Sequence, residues 1–145
     1  MFIPTLSIFM ATAISGMLEG VGFWNDIRQL LERAKTRSDV FAANVGLAFL
    51  TGAVGCSQAI AVVMTHSIMR ITYAQRGIQD EDVMLDFENS GILIAPLQPW
   101  NIAAYVPIVM VGTSSTGYVP FAFFLYLVPL IYWLRLRKQD QPIIR

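Results

Sequence analysis

Three stretches of the chain, residues 1–18, 40–69 and 89–134, contain no Asp, Glu, Lys or Arg. Uncharged apolar runs of about 18 residues or more belong in hydrocarbon, where backbone groups must pair internally and only helices or closed barrels are viable. Hydrophobic residues make up 55% of the chain and charged residues 14%, against roughly 25% charged in a soluble domain. The expected class is an all-α membrane protein and not an enzyme. The first run has no basic n-region and leads into Glu19, which marks a span and not a cleaved signal peptide.

Charge and composition remove other classes. Ten basic and ten acidic residues cancel, so there is no electrostatic footprint for nucleic acid. Cys56 and His66 are single and can build neither an internal disulfide nor a zinc site. Phosphate-binding loops and nucleophile elbows are missing from the sequence, and no cofactor is expected.

Five elements follow. Residues 3–18 read as a spanning helix, with Gly16 and Gly20 at the spacing that lets helices approach closely. In 21–37, Val21, Phe23, Trp24, Ile27, Leu30, Leu31 and Ala34 recur at three- and four-residue steps, while Arg28, Arg33, Lys35 and Arg37 take the other face. That is the pattern of a helix lying on the membrane surface. Residues 40–69 are too long for one untilted span and too short for two, which need about 20 residues each. Their centre, Thr51-Gly-Ala-Val-Gly-Cys-Ser-Gln58, is small and turn-forming. It predicts a re-entrant hairpin of two half-length helices whose tip is sheltered by protein or water. Residues 91–112 carry Pro96, Pro99 and Pro107, each of which removes a backbone donor, and predict a helix broken at Pro96-Leu-Gln-Pro-Trp-Asn101. Residues 118–135 then form the final span, with Tyr132 and Trp133 at an interface ahead of Arg135, Arg137 and Lys138.

Charge asymmetry bears on the hairpin. A single crossing by 40–69 would put Arg28, Arg33, Lys35 and Arg37 opposite Arg70, Arg76, Arg135, Arg137, Lys138 and Arg145. A hairpin that enters and leaves on one side gathers all of them on one face, which the positive-inside rule makes cytoplasmic. The expected location is the inner or plasma membrane, multi-pass, with a cytoplasmic C-terminus.

A re-entrant tip followed by a broken helix is how secondary transporters build a midplane site from half-helix ends and unwound carbonyls. The tip supplies Thr51, Ser57 and Gln58, and the break supplies Gln98, Trp100 and Asn101. Proton exchange also needs a titratable carboxyl whose surroundings can shift it. Glu19, after the first span, and Glu88, in Glu-Asn-Ser-Gly ahead of the broken helix, are the candidates. Asp86 also precedes the broken helix, and the plain reading for it is a solvated interfacial acid, as it is above all for Asp80, Glu81 and Asp82.

The run Leu85-Asp-Phe-Glu-Asn-Ser-Gly91, followed by Pro96-Leu-Gln-Pro-Trp-Asn101 and Tyr118-Val-Pro-Phe-Ala-Phe-Phe124, resembles the C-terminal region of NhaC-type sodium/proton antiporters. Gly16-Met-Leu-Glu-Gly-Val-Gly22, Gln58-Ala-Ile60 and Tyr73-Ala-Gln-Arg-Gly77 fit the same family in the same order. The resemblance implies antiport of sodium against protons by alternating access. It makes Ser57, Gln58 and Asn101 sodium ligands, adds Asn89 and Trp100 to the site, and gives Glu88 and Glu19 the protons. Two positions depart from the family pattern. Ser57-Gln58 stands where members carry Asp-Gln, and Glu88-Asn89 where they carry Glu-Asp. A less anionic site suits organic-acid exchange, which the resemblance also implies for some members. The chain has room for one of the two related halves between which such sites form. Its expected partners are the lipid bilayer and a missing N-terminal half or second subunit. A homodimer is an open alternative, and so is a structural subunit that transports nothing alone.

Overall fold

The computed structural model describes residues 36–139 continuously, together with positions 13, 16, 17, 20–22 and 34. The span expected at 3–18, Glu19 and nearly all of the surface helix expected at 21–37 lie outside the described residues. Every element among the described residues is helical.

Helix α1 (Arg37–Gly55) starts at a capping box: Thr36 Oγ1 accepts from Asp39 N at 3.2 Å, and Asp39 Oδ2 accepts from Thr36 N at 3.1 Å. Two of the backbone donors left over at a helix start are thereby satisfied. Arg37, placed by the sequence on the surface helix, is instead the first residue of α1. The helix ends at Cys56, a non-glycine residue in the left-handed region with φ 49°, whose N–H returns to Gly52 O at 3.0 Å. Ser57 is extended, and α2 (Gln58–Gln75) begins immediately.

The two helices pack antiparallel. Thr51 Oγ1 lies 2.8 Å from Thr65 Oγ1 and donates to Ala61 O, while Val40, Leu47, Ile68, Met69 and Tyr73 form the core farther from the turn. The turn is so close that a Cβ on Gly55 would come within 2.8 Å of Ile60 Cγ2. The arms hold 19 and 18 residues, about 28 and 27 Å at 1.5 Å per residue, and are not half-length. Helix formation runs past both limits of the uncharged stretch, because Thr36 and Asp39 start α1 early and Arg70 occupies an exposed position of α2. The unwound tip shrinks to Cys56 and Ser57.

Helix α3 (Asp80–Phe87) passes into a π-helical turn, Glu88–Ile92, and a 3₁₀ turn, Ala95–Leu97. The chain breaks at 98–101 and resumes as α4 (Ile102–Val111), bent 56° from the preceding segment. Pro96 and Pro99 account for the stop, since neither supplies a backbone N–H. Asn101 restarts the helix by accepting from Ala103 N at 3.1 Å. Helix α5 (Ser115–Tyr118) and a 3₁₀ turn, Val119–Phe121, lead into α6 (Phe123–Gln139). Among the described residues, α1 is long and apolar enough to cross a membrane, and the bent pair together makes a second such segment.

Candidate functional site

One face of α1 carries Arg37, Phe41, Asn44, Ala48, Thr51, Gly52 and Gly55 at three- and four-residue steps, and most of it is buried. Against it lie α2 and the π-helical turn, so its polar members meet polar groups in an otherwise apolar interior.

At one end sits Asp86, with no exposed surface. Arg37 grips it bidentately, Nη1 to Oδ2 at 2.6 Å and Nη2 to Oδ1 at 2.8 Å. Tyr73 of α2 donates to Oδ2 at 2.8 Å, and Tyr132 of α6 donates to Oδ1 at 3.2 Å. Each carboxylate oxygen therefore accepts twice, which fills the four lone-pair directions of an ionised carboxylate. A charge can be buried only when paired and hydrogen-bonded in this way. Three helices besides its own converge on this single acid.

One turn further, Ser90 donates to Asp86 O at 2.6 Å and accepts from Asn44 Nδ2 at 2.8 Å. Gly91 lets the π-helical turn approach α1 and α2: a Cβ there would stand 3.1 Å from Val62 Cγ2. Beyond lies the Thr51–Thr65 pair, and then the break. Gln98 donates to Phe49 O at 2.7 Å, Trp100 Nε1 to Ala53 O at 3.2 Å, Ile102 N to Cys56 O at 3.1 Å, and Asn101 makes a longer contact to Gly52 O at 3.5 Å. The break is thus strapped to the C-terminal carbonyls of α1. From Arg37 to Gly52 the seam runs 15 residues along α1, about 22 Å at 1.5 Å per residue.

The structure brings Trp100 and Asn101 together with the end of α1, and sets Ser57 and Gln58 at the adjoining turn. Gln58 Nε2 donates to Ile92 O at 3.3 Å, and Ser57 makes no capping bond to α2. Asn101 is fully buried, but its Oδ1 is engaged by Ala103 N. Glu88 and Asn89 are elsewhere, on the outer side of the π-helical turn. Glu88 is exposed in an open groove of about 390 Å³ with His66 and Asp80, and Asn89 donates to Leu85 O at 2.7 Å. Among the described residues no three His, Cys, Asp or Glu side chains converge to hold a metal ion.

Asp86, Arg37, Tyr73, Tyr132 and Asn44 were not singled out by sequence. Asp86 is not a solvated interfacial acid, because α1, α2 and α6 cover it. A signal was present, in that Asp86, Ser90 and Ile94 are four residues apart and share a helix face with polar and apolar members alike.

The sequence pattern of the Na+/H+ antiporter family matches residues 1–134. The chain is 30% identical over 132 residues to the Na(+)/H(+) antiporter NhaC of Bacillus subtilis, covering 86% of the chain and 28% of that relative. It is 24% identical over 129 residues to the protein of the same name from Alkalihalophilus pseudofirmus, covering 86% of the chain and 27% of the relative. The chain therefore spans little more than a quarter of the curated relatives it matches. No solved structure matches it.

Proposed function

Because the chain belongs to the Na+/H+ antiporter family, we propose that it is the C-terminal part of a plasma-membrane transporter that exchanges sodium for protons by alternating access. The observation that carries this reading is Asp86, an acid with no exposed surface in a chain of long uncharged runs. A buried charge is expensive, and inside a membrane protein it belongs to an ion or proton pathway. Asp86 replaces Glu88 as the acid of this reading, because Glu88 is exposed and Asp86 is enclosed among three neighbouring helices. Ser57 and Gln58 stand at the hairpin turn, where Gln58 donates to Ile92 O of the π-helical turn, while Gln98, Trp100 and Asn101 hold the break in register with α1.

The same geometry supports a membrane placement. Arg37, Tyr73 and Tyr132 meet at Asp86, so Arg76 and Arg135, each about one turn further along its chain, leave the bundle at the end where Arg37 enters. That end is cytoplasmic by the positive-inside rule, and the hairpin enters and leaves the membrane there. More than half of the surface of Val109, Met110 and Val111 on α4, and of Phe123, Phe124 and Ile131 on α6, is exposed. These faces suit lipid or the remainder of the transporter.

The test is proton movement driven by a sodium gradient in vesicles holding the full transporter that contains this chain. Asp86→Asn should abolish sodium-dependent exchange, and Glu88→Gln should retain it with the pH profile in place. Exchange that survives Asp86→Asn would remove the buried acid from the mechanism.

A further inference from the structure

Asn44 is enclosed completely, yet its hydrogen bonding is one-sided. Nδ2 donates to Ser90 Oγ at 2.8 Å and to the Asp86 carbonyl oxygen at 3.3 Å, while Oδ1, also buried, accepts from nothing. Turning the amide over does not help. Ser90 Oγ spends its only proton on Asp86 O at 2.6 Å, so both groups facing Nδ2 present lone pairs, and a flipped amide would set oxygen against two acceptors. Oδ1 is therefore fixed with both lone pairs free. A buried carbonyl oxygen without a donor costs stability, and such a cost is kept where a function uses the group.

The surroundings indicate which ligand uses it. Ser90 Oγ, one amide width away, donates once and accepts once and so has a further lone pair. Ser90 belongs to the π-helical turn Glu88–Ile92 and Asn44 meets it from α1, and interruptions of this kind gather at functional sites. The free groups here are neutral oxygens, not proton donors. Divalent ions recruit carboxylates, whereas neutral oxygens in a broken-helix transporter suit sodium.

We infer that Asn44 Oδ1 is a ligand oxygen for the transported monovalent cation, held at the π-helical turn one helical turn from Asp86. This rests on the antiport reading and assigns a binding residue within it. Losing even an outer partner costs a metal site roughly 10–100-fold in affinity, so losing a ligand oxygen should cost at least about tenfold.

The experiment titrates the complete transporter with NaCl, choline chloride holding the ionic strength, and follows its thermal unfolding midpoint and its sodium-driven proton movement. In the wild type both responses saturate with sodium. Asn44→Leu should raise the half-saturating concentration at least about tenfold. Asn44→Asp keeps an oxygen in place and adds charge, so it should lower that concentration. Both variants lose the amide bonds to Ser90 and Asp86. A purely structural role would therefore shift both unfolding midpoints in the same direction and leave both half-saturations alone, and that result would overturn the assignment. If Asn44→Leu does not fold, Asn44→Asp decides: an unchanged or raised half-saturation refutes it. A wild type that ignores sodium in both assays defeats the antiport reading itself, whereas a responsive wild type with unmoved variants defeats only the role of Asn44.

Discussion

Replacing Arg37 by Gln isolates the energetics of the buried acid. In the native structure the Arg37 side chain is 16% exposed and that of Asp86 is 0% exposed, so the pair is little screened by solvent or salt. Removing one partner of a buried pair leaves an uncompensated charge and typically costs about 3–5 kcal/mol. Two hydroxyls, Tyr73 and Tyr132, would still donate to the carboxylate, and hydrogen bonds to charged groups are worth about 1.5–3 kcal/mol each. Those bonds place the expected loss near the lower limit, about 3 kcal/mol. Asp86→Asn added to Arg37→Gln removes the charge along with its partner, and a neutral replacement of a buried pair is often close to neutral in stability. The double variant should therefore be more stable than Arg37→Gln alone by about 2 kcal/mol. Equilibrium unfolding of the four proteins in mixed micelles gives the cycle. An Arg37→Gln cost below about 1 kcal/mol, or a double variant whose cost equals the sum of the singles, would show that Asp86 is not held as a buried ion pair.

Other substitutions probe the strapping of the break and the placement of the charges. A Cβ on Gly52 would stand 3.0 Å from Gln98 Oε1, so Gly52→Ala should destabilise by about 1–3 kcal/mol as an overpacking change, and Gln98→Ser should recover part of the loss in the same unfolding assay. Asn101→Ala removes the cap of α4 and should cost about 1 kcal/mol, read as a lower thermal midpoint. With Cys56 replaced, single cysteines at Arg33, Arg76 and Lys138 should react only from the cytoplasmic side, and one at Thr113 only from outside; labelling of 33 and 76 from opposite sides would sink the hairpin topology. Asn89→Asp should leave the half-saturating sodium concentration where it is, because Asn89 faces away from the seam.

What the sequence made legible was local. The break at Pro96 to Asn101 could be read because missing backbone donors act within one turn of themselves. The turn between the hairpin arms could be read because Gly52, Gly55 and Ser57 are poor helix residues close together. The ends of the arms were misjudged, since a charged residue such as Arg70 does not stop a helix when it points outward. The buried acid was hidden for a different reason. Arg37 and Asp86 are 49 positions apart, and each has charged neighbours that gave it a plausible solvated role. Arg37 ended a basic amphipathic stretch, and Asp86 followed Asp80, Glu81 and Asp82. Nothing within one turn of either residue records that the hairpin folds back across α3, so their pairing was readable only from the tertiary structure.

The same geometry bears on the two positions, 57 and 89, where the resemblance leads one to expect a carboxylate. Ser57 is at the turn between α1 and α2, and Asn89 is half-buried with its amide spent on Leu85 O. Neither side chain touches Asp86, whose four donors come from Arg37, Tyr73 and Tyr132. A charge at 57 would therefore act at the hairpin turn, and one at 89 on the outer side of the π-helical turn, neither of them in contact with the carboxylate. Neutral side chains there leave intact the buried carboxylate on which charge exchange in the proposed reading depends. The neutral residues at 57 and 89 are on that account compatible with the proposed antiport.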